Sequence, residues 1–277
     1  MTPTLASFLR PEGFESPSRA AVLREGSVVT EAGRYAFRAL GEHRVRLGTP
    51  YARRAAPRTS EPVLLIPGFM AGDTSLALMS RALRRRGFRT YRSQMHANVG
   101  CTLSASALLE SRLESIAIRR GSRVQIVGHS LGGMLARGLA VRRPDLVAGI
   151  VTMGSPMLAP GAHHVSLSAG VDLLVRLSRA GVPGLMAEEC VGGSCARRSF
   201  DESRQPVPTG VSFTAIYSKR DGIVDWRACV DPLAEPVEVS ASHLGMAVDP
   251  RVIDRIAAAL RCAPAGLVLE IDRGESA

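Results

Sequence analysis

The order of elements in this chain predicts an α/β fold: a mostly parallel central sheet, helices on both faces and a small helical cap. Two observations lead there. From about residue 62 onward, short apolar or β-branched runs alternate with stretches of helical spacing. One such run, Val124-Gln-Ile-Val, leads into Gly128-His-Ser-Leu-Gly132 and then directly into a helical pattern over 134–140. A strand that turns at once into a helix must be followed by a crossover, and such crossovers are right-handed and build parallel sheets.

The elements follow in order. Val63, Leu64, Leu65 and Ile66 make a continuous apolar run, as expected of a strand buried on both faces. Residues 74–86 place Leu76, Met79 and Leu83 at helical spacing and stop at Gly87. Residues 88–92 read as the next strand, and 104–120 as an amphipathic helix ending at Gly121. After the strand and helix around Ser130, Pro144 stops the helix and 147–153 forms another strand. Residues 211–217 alternate and are rich in β-branched and aromatic side chains, so they too read as a strand. A short strand at 237–240 and a helix over 249–260, apolar at Val252, Ile253, Ile256 and Leu260, complete the series.

Two regions break the alternation. Residues 157–209 hold one amphipathic helix, near 167–180, between loops rich in Gly and Pro. Met157, Leu158, Leu173, Leu174, Leu177, Leu185 and Met186 suit either an acyl pocket or the packing of a cap onto the core. Residues 1–60 carry scattered patterns that fit early helices or a short edge hairpin at 45–47. The expected organisation is an N-terminal extension of uncertain structure packed on the core (1–60), a core (61–156 and 210–262), a cap insertion (157–209) and a C-terminal tail (263–277).

Ser130 carries the chemistry. A Gly-x-Ser-x-Gly turn between strand and helix holds its serine exposed at the strand's C-terminal end. The close neighbours in such a turn leave no room for side chains, which Gly128, Gly132 and Gly133 accommodate. A serine alone is a poor nucleophile, so a base and an orienting acid must follow, in the order Ser, Asp/Glu, His. Six histidines occur. His163 and His164 precede the 211–217 strand, whereas His243 sits in the loop after the last short strand, in the required order. For the acid, Asp221 directly follows the 211–217 strand and precedes Gly222; Asp225 is the runner-up.

The segments Ile66-Pro-Gly-Phe-Met-Ala-Gly-Asp73, Gly128-His-Ser-Leu-Gly-Gly133, Tyr217-Ser-Lys-Arg-Asp-Gly-Ile-Val224 and Ser242-His243 together resemble the landmarks of α/β-hydrolases of the esterase/lipase type. The resemblance spans roughly residues 60–262. More narrowly, Asn98-Val-Gly-Cys101 and the run 221–229 are similar to uncharacterised actinobacterial hydrolases. It implies a Ser130–His243–Asp221 triad and a backbone oxyanion hole. One donor would be the Leu131 N–H. The other would come from the loop after the 63–66 strand, from Phe69 N–H with Met70 next, since Pro67 has no N–H. No cofactor or metal is expected. Ester hydrolysis of short to medium acyl chains leads; acyl transfer, true lipase action and a non-catalytic binding scaffold are the alternatives.

Composition agrees with a single enzyme domain. The 277 residues are 45% hydrophobic but only 4% aromatic, so Ala, Val and Leu must fill the core. No apolar run approaches the roughly 20 residues of a membrane span. The first ten residues lack a basic stretch followed by an apolar one, so a cytoplasmic location is expected. The net charge of +10 comes almost wholly from arginine, Lys219 being the one lysine. These arginines fall mostly on outer faces of predicted helices, with few aromatics between them to stack on bases. Nucleic acid is therefore not expected as a partner. A small acyl ester or lipid is, together with a weak pull toward anionic lipid surfaces. Five cysteines cannot all pair; Cys190 and Cys195 could close a small ring, or all could be free thiols.

Overall fold

The computed structural model describes residues 5–48 and 61–262. Its centre is a six-stranded, wholly parallel sheet, formed by β1 (Pro62–Ile66), β2 (Arg89–Arg92), β3 (Val124–His129), β4 (Val147–Met153), β5 (Ser212–Tyr217) and β6 (Glu235–Glu238), in the order β2-β1-β3-β4-β5-β6. β1, β3 and β4 are buried along their whole length, which is why they read as largely apolar runs. The expected 237–240 strand is instead Glu235–Glu238, an edge strand with mostly exposed side chains. Its exposed side chains made the apolar signal weak and its register hard to read.

The order of strands positions the site. The chain leaves β1 toward β2 on one side and then returns to β3 on the other. At such a switch point the loops after two neighbouring strands diverge and open a crevice at their C-terminal ends. The two strands are β1 and β3, registered with Ile66 opposite Gly128. The loop after Ile66 and the turn at Ser130 are therefore neighbours.

Helices cover both faces. On one side lie α1 (Val28–Gly48), α2 (Ala77–Arg85) and α7 (Pro250–Cys262); their core includes Tyr35, Met79, Leu83, Ile253 and Ile256. On the other lie α3 (Thr102–Arg120) and α4 (Leu131–Arg142), with Leu109, Leu113, Leu135 and Leu139 buried. Each such leucine contributes about 1.5–3 kcal/mol through apolar burial. Residues 45–47 belong to α1 and form no hairpin. The short alternation there is outweighed by the four-residue spacing of Glu31, Tyr35 and Ala39, which turns one face of α1 onto the core.

Between β4 and β5 lie α5 (Val165–Arg179), as expected, and α6 (Ser194–Arg204), which the periodicity did not reveal. Met186, with Val171, Leu174 and Val175 of α5, packs inward, while Leu173 and Leu177 face solvent. Helical period thus splits the apolar residues of that insertion between two faces.

The arginines behave mostly as expected. Arg84 and Arg112 donate to the carbonyls of Thr90 and Arg92, capping the open edge of the sheet at β2. Arg137 is the exception. It is buried on α4 and paired with buried Asp231 at 2.8 Å. Among the described residues, no helix is long and apolar enough to cross a membrane.

Candidate active site

Ser130 follows the last residue of β3 and caps α4, with φ 52° and ψ −122°. A non-glycine residue in such a conformation costs about 1–3 kcal/mol. The surrounding packing holds it there: its N–H donates to Met153 O at 2.8 Å, on the neighbouring strand. Gly132 permits the close approach of the β1 loop, since a Cβ there would stand 2.3 Å from Ile66 O.

Asp221 and His243 come together in the loops after β5 and β6. His243 Nδ1–H donates to Asp221 Oδ2 at 2.7 Å, while Asp221 Oδ1 accepts the N–H groups of Ile223 at 2.8 Å and Val224 at 2.9 Å. The carboxylate is thereby fixed in orientation, and it leaves His243 Nε2 as the free acceptor. Asp225 is occupied elsewhere: it accepts from Arg227 and from Glu15 N–H. His163 and His164 bond to main-chain carbonyls, of His164 and Arg19 respectively.

His129 ties His243 to the Ser130 turn. Its Nε2–H donates to His243 O at 2.9 Å, and the two rings lie 4.9 Å apart. Burial, then the nearby His243, pushes the His129 pKa down to about 3. For His243, burial works against the charged form, but Asp221 and Glu25 outweigh it and raise the pKa.

A stability prediction follows. Between pH 6.5 and about 3 the unfolded chain protonates His129 while the folded chain refuses the proton. Stability is therefore lost as pH falls through that window, and His163, whose pKa is also lowered by burial, adds to the loss. Raised His243 works in the opposite sense. Urea midpoints measured from pH 7 to pH 4 should fall, and less steeply in His129→Gln. An equal slope in both proteins would remove His129 from the account.

The loop after β1 is clamped by buried Asn98. Its Nδ2–H donates to Pro67 O at 3.0 Å, its N–H to Ala71 O, and its carbonyl accepts Met70 N–H at 3.0 Å. Met70 N–H is thus committed, whereas among the described residues Phe69 N–H has no partner. The first-turn N–H of Leu131 is one of the donors a helix leaves unpaired. Asn98 stands in a stretch that the sequence marked by resemblance without assigning it a task.

Two hollows compete for attention. The larger, about 1150 Å3, runs along the β2 edge and is lined by six arginines, including Arg89, Arg92 and Arg120. The smaller, about 140 Å3, is walled by Ser130, Leu131 and Phe69 together with Leu167, Val171, Met186 and Phe200. Only the second reaches the serine. Of the insertion residues named from sequence, Met186 lines it. Leu5 and Leu9, from the N-terminal segment, complete its wall. All five cysteines are free thiols, so Cys190 and Cys195 form no ring.

Residues 61–187 match a family model described as the alpha/beta hydrolase fold. The mature lipase BlEst2 of Bacillus licheniformis superposes with a TM-score of 0.56 over 74% of this chain and 93% of that one, at 14% identity. The chain has the α/β-hydrolase fold. The pyrethroid hydrolase PytH resembles this α/β-hydrolase-fold protein with a TM-score of 0.52, at 19% identity, over 74% of this chain and 98% of that one. A triacylglycerol lipase of Vibrio cholerae is 29% identical over 102 residues, 35% of this α/β-hydrolase-fold chain. The match spans 33% of the lipase's own length. The fold expected from the sequence is borne out.

Proposed function

We propose that this protein hydrolyses carboxylic esters through a Ser130–His243–Asp221 triad and an acyl-enzyme intermediate. The observation that carries the reading is the Asp221–His243 hydrogen bond of 2.7 Å beside a serine held at positive φ and opening into an apolar cavity. His243 Nε2 takes the proton of Ser130 Oγ as the oxygen attacks the ester carbonyl. Asp221 holds the productive tautomer and stabilises the imidazolium. The oxyanion is received by the N–H groups of Leu131 and Phe69, which are preorganised rather than recruited. The alcohol leaves with the proton from His243, and water repeats the sequence to release the acid.

The small, mainly apolar cavity favours short to medium acyl chains. Each methylene that finds an apolar wall contributes about 0.8 kcal/mol, roughly fourfold in kcat/KM, until the wall at Leu5, Leu9 and Phe200 is reached. A series of p-nitrophenyl esters, each assayed with and without added alcohol, tests this. Rates should rise with chain length, then fall, and the free acid should remain the main product. Dominant ester exchange with the alcohol would make the protein an acyltransferase. The names of the Vibrio and Bacillus relatives support a second reading, lipase action. A jump in activity above the substrate's solubility limit, absent below it, would decide for that reading.

A further inference from the structure

Glu25 lies in the N-terminal segment, nearly two hundred residues before the loops of Asp221 and His243, and is 6% exposed. Its Oε1 accepts two main-chain N–H groups at once, Gly222 at 2.9 Å and His243 at 3.0 Å. Its Oε2 accepts Leu244 N–H at 2.8 Å. One carboxylate therefore joins the loop of the acid to the loop of the base. The segment carrying it is pressed close: a Cβ on Gly222 would stand 2.3 Å from Ala21 O. Glu31, six residues on, accepts Ser242 N–H at 2.9 Å and Ser242 Oγ–H at 2.7 Å, holding the same histidine loop from α1.

Among the described residues, no Arg, Lys or His side chain forms an ion pair with Glu25. A buried carboxylate is expensive unless its charge is used. Three N–H groups satisfy its oxygens, and the nearest group that gains positive charge during the reaction is the His243 imidazole. The groups that face that ring are Asp221 from the β5 loop, His129 from β3 and Glu25 from the N-terminal segment, with Glu31 behind Ser242.

We propose that Glu25 is a positioning residue of this active site. It locks the Asp221 and His243 loops in one register and supplies a second negative charge that steadies His243 while it holds the Ser130 proton. The inference rests on the triad reading above. The segment from Leu5 to Glu25 is then part of the catalytic apparatus, since it provides this carboxylate as well as the Leu5 and Leu9 wall of the cavity.

The test compares Glu25→Gln, Glu25→Asp and Ser130→Ala on one p-nitrophenyl ester, with circular dichroism to verify folding. Glu25→Gln keeps the size but loses the charge. Its kcat should fall by about 10- to 100-fold with KM little changed, as misplaced catalytic groups do. Its kcat/KM profile should also hold its acid limb to lower pH, because His243 loses a neighbour that favours its charged form. A role confined to holding loops together would lower kcat and leave that limb in place. Glu25→Asp keeps the charge on a shorter stem, so kcat should drop while the acid limb stays at the wild-type pH. Should Glu25→Gln not fold, Glu25→Asp alone decides: a displaced limb overturns the proposal. Turnover retained in Ser130→Ala would overturn the triad reading itself. An inactive Ser130→Ala, with wild-type kcat and an unmoved limb in Glu25→Gln, would overturn the role of Glu25 alone.

Discussion

Ser130→Ala is expected to abolish ester turnover, by about a thousandfold or more, while leaving the fold intact. In the proposed mechanism the serine hydroxyl supplies the attacking oxygen; the other hydroxyls and the thiol that line the cavity, of Thr102, Ser199 and Cys190, do not sit on the strand-to-helix turn. The structural contacts at this position belong to the main chain: the N–H on Met153 O and the carbonyl that accepts Gly133 N–H. Alanine keeps both and tolerates the positive φ no worse than serine. Thermal melting should therefore stay close to wild type while hydrolysis disappears. A variant that retains near wild-type rates would remove Ser130 from the mechanism, and the cavity would have to be read as a binding site.

Asp221→Asn should lower kcat by about 10⁴-fold, for a reason visible in the hydrogen bonds. Asp221 Oδ1 accepts from Ile223 and Val224 N–H, so the amide oxygen of an asparagine will stay on that side. The amide N–H then faces His243 Nδ1 and turns it into an acceptor. The ring proton moves to Nε2, which can no longer receive the proton of Ser130. The neighbouring carboxylate is the control. Asp225 is bound to Arg227 and to the Glu15 N–H, so Asp225→Asn should affect stability more than kcat. Equal losses of kcat in the two variants would place the orienting acid elsewhere.

Much of the fold was legible from sequence, for a physical reason. β1, β3 and β4 are buried on both faces, so most residues in them are apolar or small, and their limits came out within a residue or two. The Ser130 turn was legible because its tight packing demands glycines at set spacing. Asp221 and His243, which the structure brings within a hydrogen bond of each other, were singled out by chain order and by their place after strands. The edge strand Glu235–Glu238 was displaced because exposed strands are under little compositional constraint.

Other parts left no trace in local pattern. Glu25 bonds to three main-chain N–H groups, and Glu31 to one main-chain N–H and the hydroxyl of Ser242, about two hundred residues away. A main-chain partner imposes no residue type, so nothing in the sequence around His243 announces the carboxylate that meets it. The sequence singles out neither glutamate and shows Arg137 as one more helix arginine; the fold buries all three. The cavity wall was hidden likewise. α5 carries apolar residues on more than one face, and only the fold selects Leu167 and Val171 over Leu173 and Leu177.

The central claim is that Ser130 carries the acyl group during turnover. The most direct measurement is a rapid acid quench of the enzyme with a p-nitrophenyl ester, followed by intact mass and peptide mapping. The account predicts one acyl group per chain, located on the Ser130 peptide, absent in Ser130→Ala and lost at the rate at which free acid appears. Turnover without any adduct, or an adduct on another residue, would contradict it.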